Sequence, residues 1–107
     1  MDLGKYVALF LTDGREHLQQ CNALLLEWER APSAAEPVAG LFRAIHTIKG
    51  MAATLGYTRL TELSHALENL LAAVRDGGVP ATPDLIDTCF RAVDAIDRLP
   101  AIRGNSV

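Results

Sequence analysis

A histidine at position 46, a lysine at 49 and a glycine at 50 interrupt the otherwise apolar run Ile45 to Leu55, IHTIKGMAATL. Glycine inside a helix costs roughly 1 kcal/mol relative to alanine, so Gly50 serves something other than helix stability. His46 and Lys49 are three apart and share a helix face, and SHALENLL downstream carries a second such pair, His65 and Glu68. A carboxylate that accepts the Nδ1 hydrogen of an imidazole fixes its tautomer and leaves the Nε2 lone pair facing outward as a nucleophile. Glu68 suits the orienting role and His46 the attacking one. A phosphoryl group on Nε2 would bring about two negative charges. Lys49 is placed to offset them, with His65 as an auxiliary, and Gly50 gives clearance for a docking partner.

These residues must be positioned by helices. Half of the 107 residues are apolar but only 6% are aromatic, with leucine and alanine dominating the periodic segments. That is the composition of an all-α chain, here read as one domain over residues 1–107. Leu3, Val7, Phe10, Leu18, Cys21, Leu25 and Trp28 form one stripe of a helix spanning about 3–30, with Gly14 expected to mark a bend. A second helix, about 36–55, carries Val38, Leu41, Ile45, Ile48, Ala52 and Leu55. Ser33 and Glu36 have the spacing of a capping box at its start, and Gly56 follows as a left-handed cap. A third, about 59–76, shows Leu60, Leu63, Leu67, Leu70 and Val74 behind a Thr58 cap, and Gly77 and Gly78 stop it. Thr82, Pro83 and Asp84 open a fourth, about 83–99, with Ile86, Cys89, Val93 and Ile96. Pro100 ends it.

Four amphipathic helices with short connections predict an antiparallel up-down-up-down four-helix bundle, with a possible fifth helix truncated in the weakly specified tail from Ala101. The second and third helices must form a hairpin. Centring its turn at Tyr57 sets His46 level with Glu68 and Lys49 level with His65, the first pair roughly 16 Å from the turn. His46 lies roughly 130° from the apolar stripe of its helix and Lys49 roughly 70° on the same side. All four residues fall off the predicted stripes, and Glu68, read as an exposed acid, is expected to contribute little stability.

Several other functions are disfavoured. A net charge of −3 gives no basic face for nucleic acid. No window approaches the ~18 apolar residues of a membrane span and the N-terminus has no signal-peptide pattern, so no membrane contact is expected. Cys21 and Cys89 fall at apolar positions and read as buried thiols in a reducing compartment, with the cytoplasm the default. Glu62 and His65 have the spacing used by di-iron bundles, but the second helix supplies only His46 and Glu36 toward such a site, so no metal is expected. The competing reading from another class is a non-catalytic helical docking or dimerisation module.

FRAIHTIKG from Phe42 to Gly50, followed by MAATLGY and by LTELSHALENLL from Leu60 to Leu71, closely resembles the histidine phosphotransfer domain of CheA-type chemotaxis kinases. The resemblance covers about residues 3 to 99. It implies that His46 is the phosphorylated residue and that Lys49, His65 and Glu68 match the positions surrounding it. It further implies phosphoryl transfer from a kinase ATP-binding domain to an aspartate of a response-regulator receiver domain. The chain has no glycine-rich nucleotide loop and no acid cluster suited to Mg²⁺, so ATP and Mg²⁺ are expected on the partner domains and no cofactor here.

Overall fold

In a computed structural model, which describes residues 3–104, the chain folds into four long helices and one short one. They are α1 (Leu3–Arg30), α2 (Ala35–Thr54), α3 (Thr58–Arg75), α4 (Pro83–Arg98) and α5 (Pro100–Arg103). The four long helices form the antiparallel up-down-up-down bundle: α2 packs most extensively on α3, then α1 on α2 and α1 on α4, and α3 on α4 closes the ring. The long axis is 44 Å, close to the ~42 Å that the 28 residues of α1 occupy at about 1.5 Å each.

Most helix ends follow their local chemistry. Gly56 takes φ 76°, and behind it the Tyr57 and Gly56 amides donate to the Ala52 and Ala53 carbonyls, closing the last turn of α2 in a Schellman arrangement. Gly77, at φ 82°, ends α3 the same way. Thr82 caps α4 by accepting from the Leu85 amide at 3.2 Å. Two expected caps do not form. The residue before α2 is Ala34, without a side-chain cap, because Pro37 has no N–H to give an interior turn and so must sit among the first unpaired donors. The helix therefore starts one residue too late for Ser33 and Glu36 to make a capping box. Thr58 is the first residue of α3, and Tyr57 precedes it without a side-chain cap.

The core holds Phe10, Leu18, Cys21, Leu25 and Trp28 from α1, Val38, Leu41, Ile45, Ile48 and Ala52 from α2, and the whole predicted stripe of α4. Leu3 departs from the expectation. Phe10 meets Tyr57 at 5.4 Å between ring centroids, level with the α2–α3 turn, so the turns of α1 before it extend past the bundle and leave Leu3 68% exposed. Gly14 is buried in an unbroken α1 and makes no break there; its face lies against Ile102. The tail also differs from the expectation up to Gly104, because α5 folds back and buries Ile102; residues 105–107 lie outside the described residues.

The orientation of α3 matters most for the site. Its buried residues are Leu60, Ser64, Leu67, Glu68 and Leu71, while Leu63, Leu70 and Val74 are only partly covered. The buried face is thus turned by roughly 60° from the apolar stripe, toward α2. Glu68 is carried inward by that turn.

Candidate functional site

His46 and Lys49 on α2 meet Glu68 on α3. The Nδ1–H of His46 donates to Glu68 Oε2 at 2.5 Å, and Lys49 Nζ donates to Glu68 Oε1 at 2.8 Å. An ionised carboxylate only accepts, so Nδ1 carries a hydrogen, and in the neutral imidazole the lone pair is on Nε2, the nitrogen that Glu68 does not hold. The three side chains differ sharply in exposure: 61% for His46, 24% for Lys49 and 10% for Glu68.

Glu68 is not the exposed acid that its place off the apolar stripe predicts: it is buried. Burial by itself pushes its carboxyl up, but the hydrogen bonds from Lys49 and His46, with their charges, outweigh that and hold it below its ordinary value of 4.5. A buried carboxylate with two donors is a fixed anchor, because neither oxygen can leave its partner without becoming an unpaired buried charge.

The hairpin register sets His46 opposite Glu68 as the position of Tyr57 predicted. Lys49, which the same register expects level with His65, reaches along the groove to Glu68, whose carboxylate offers a charge-assisted bond. His65 is exposed, and among the described residues no hydrogen bond or ion pair joins it to the other three. Gly50 is also exposed, and a Cβ built there would meet nothing within 4 Å. The surface beside His46 is therefore open.

Three features were not read from the sequence. The Phe42 ring lies parallel to the His46 imidazole, 8° between planes and 6.0 Å between centroids. The guanidinium carbon of Arg75 lies 4.5 Å from the centroid of Phe42. Ser64, one turn before Glu68, is fully buried and its hydroxyl has no partner. The separation of four residues between Phe42 and His46 was the available signal for the first; nothing in the periodicity pointed to the other two.

The arrangement supplies an outward nitrogen nucleophile in a fixed tautomer, a buried anchor behind it, and a nearby ammonium for incoming negative charge. Among the described residues no three of His, Cys, Asp or Glu stand close enough to share a metal ion, and no helix is long and apolar enough to cross a membrane.

Comparison with known proteins bears on the family and the fold. A family model described as Hpt domain matches residues 5–102. The chain is 44% identical over 99 residues to the chemotaxis protein CheA of Bacillus subtilis, covering 92% of this chain and 15% of that protein. It thus spans only about 15% of the length of the CheA relatives it matches. Among solved structures it is similar to the CheA phosphotransferase domain from Thermotoga maritima, with a TM-score of 0.85 and 40% identity over 92% of this chain and 93% of the other. It is also similar to the phosphorylated P1 domain of CheA3 in complex with CheY6 from R. sphaeroides, with a TM-score of 0.85 and 32% identity over 96% and 83% of the two chains.

Proposed function

The chain belongs to the histidine phosphotransfer (Hpt) domain family, and on that premise we propose that His46 accepts a phosphoryl group from a kinase ATP-binding domain and passes it to a response-regulator aspartate. The observation that carries this reading is the His46–Glu68–Lys49 triad, which engages Nδ1 of a largely exposed imidazole and leaves Nε2 for the incoming phosphorus.

In the first step the Nε2 lone pair attacks the γ-phosphorus of ATP; the N–P bond forms as the bond from phosphorus to the ADP oxygen breaks. Nδ1 keeps its hydrogen throughout, and Glu68 offsets the positive charge that the ring acquires. Lys49, already beside the site, turns part of its attraction toward the phosphoryl oxygens, and His65, exposed one turn before Glu68 on α3, is an auxiliary hydrogen-bonding group for them. In the second step a carboxylate oxygen of the receiver attacks phosphorus from the open side next to Gly50, and the N–P electron pair returns to Nε2. ATP and Mg²⁺ belong to the partner domains in this account, and the compartment that fits it is the cytoplasm. The similar P1 domain of CheA3, phosphorylated and in complex with CheY6, supports a response regulator as partner.

The test is labelling of the 107-residue chain by a CheA-type kinase domain with radiolabelled ATP. An acid-labile, base-stable label that is absent from His46→Gln and chased by a receiver domain is expected. Label retained on His46→Gln would overturn the assignment and return the domain to a helical docking role.

A further inference from the structure

The hydrogen bond to Glu68 holds one atom of the His46 ring, not its plane. An imidazole tethered at Cβ and at Nδ1 still rocks about the line joining them, and the ring is largely in solvent. In-line phosphoryl displacement is sensitive to that freedom, because the lone pair must point along the bond that breaks.

A second restraint comes from His46's own helix. Helical side chains lean toward the N-terminus, so His46 lies back over Phe42, one turn earlier. The two rings are parallel within 8° at 6.0 Å, in the range of offset stacking. Phe42 is itself held on two sides: it packs against the hydrophobic core, and Arg75 covers its ring at 4.5 Å, within cation–π range. Arg75 is placed by the last turn of α3, where the helix dipole favours a cation, and its Nε donates to Asp76 Oδ1 at 3.1 Å. A line of contacts therefore runs from the end of α3 through Phe42 to the imidazole, independent of the bond to Glu68.

We propose that Phe42, clamped by Arg75, is a positioning residue that fixes the plane of the His46 ring and so aims Nε2 at the incoming phosphorus. The proposal rests on the reading of His46 as phosphoacceptor. A purely structural role for Phe42 would be to cover the α2–α3 seam, which needs apolar bulk. Positioning needs a flat ring. Leucine supplies the first without the second, and tyrosine supplies both.

The experiment compares the 107-residue chain with Phe42→Leu, Phe42→Tyr, Arg75→Ala and Arg75→Lys. Nitrogen NMR of the unphosphorylated protein reads the tautomer of His46 and the exchange of its Nδ1 hydrogen with water; single-turnover labelling by the kinase domain reads transfer; melting reads stability. Phe42→Leu is expected to melt within a few degrees of wild type, to exchange the Nδ1 hydrogen faster, and to transfer about two- to tenfold more slowly, the factor that one aromatic pair commands. Phe42→Tyr should restore exchange and transfer together. Arg75→Ala should shift both in the same direction by less, with Arg75→Lys between it and wild type. Wild-type transfer in Phe42→Leu, or slowed transfer with unchanged His46 exchange and tautomer, would overturn the proposal. So would a Phe42→Tyr chain as impaired as Phe42→Leu. If the wild-type chain takes no phosphate, the phosphorelay reading fails on its own. The NMR arm then still decides the stack: faster exchange in Phe42→Leu supports it, and unchanged exchange overturns it.

Discussion

Replacing Glu68 with glutamine keeps the shape of the anchor and removes what makes it work. The carboxylate accepts twice, from His46 at Oε2 and from Lys49 at Oε1. Glutamine has one accepting oxygen and one donating amide nitrogen. If the oxygen faces Lys49, the amide faces His46, and the imidazole must accept at Nδ1 and carry its proton on Nε2, where it no longer attacks. If the oxygen faces His46, the amide faces the Lys49 ammonium, donor against donor, and Lys49 swings into solvent. Either way a charge-assisted bond of about 1.5–3 kcal/mol is lost from the reacting arrangement, which predicts phosphorylation about 10- to 100-fold slower. Stability falls less, because His46 is mostly exposed and Lys49 partly so. The loss should be about 1 kcal/mol, or about 5 °C in melting temperature. It also has a pH signature. The carboxyl is held below 4.5 in the folded chain, so its contribution is complete above that pH and is lost as pH falls through the folded value. The stability gap between wild type and Glu68→Gln should be constant near neutrality and close in acid. Single-turnover labelling and thermal melts from pH 3 to 8 measure both. Labelling of Glu68→Gln within twofold of wild type would refute the orienting role, and a stability gap that widened in acid would refute the ionised anchor.

Gly50→Ala adds a Cβ that meets nothing within 4 Å, so it should stabilise α2 by about 1 kcal/mol while slowing transfer to the receiver; unimpaired transfer would remove the clearance role. Burial pushes the Cys21 thiol up to about 12 and the Cys89 thiol to about 11, so neither should react with iodoacetamide in the native protein at pH 8. Reaction at the rate of a free thiol, measured by mass spectrometry, would contradict that burial. The Ser64 hydroxyl is buried without a partner, and Ser64→Ala should raise stability by about 1 kcal/mol in a denaturant titration. A comparable loss would mean that the hydroxyl is bonded in solution.

The α2–α3 hairpin was legible because one turn fixes it. Gly56 marks where α2 stops, and from there helical rise alone puts His46 beside Glu68. The stripes of α2 and α4 were legible because their large aliphatic residues, Val38, Leu41, Ile45 and Ile48 on one and Ile86, Val93 and Ile96 on the other, fall on one narrow face, and that face is buried. On α3 the apolar residues Leu60, Leu63, Leu67, Leu70, Leu71 and Val74 cover so wide an arc that periodicity alone does not fix its centre. Packing chiefly on α2 decided the rotation, and with it the burial of Glu68 and Ser64. The absent capping box has a local cause in Pro37, which the spacing of Ser33 and Glu36 does not register. Arg75 over Phe42 is a tertiary contact between the start of one helix's site face and the end of another, and no sequence period encodes it.

Phosphotransfer through this site depends on which nitrogen of which histidine takes the phosphate. Nitrogen- and phosphorus-detected NMR of the chain phosphorylated by the kinase domain answers this directly. Phosphorus coupled to Nε2 of His46, with the Nδ1 hydrogen still present and slow to exchange, is the predicted result. Phosphorus on Nδ1 of His46, or on His65, would contradict it.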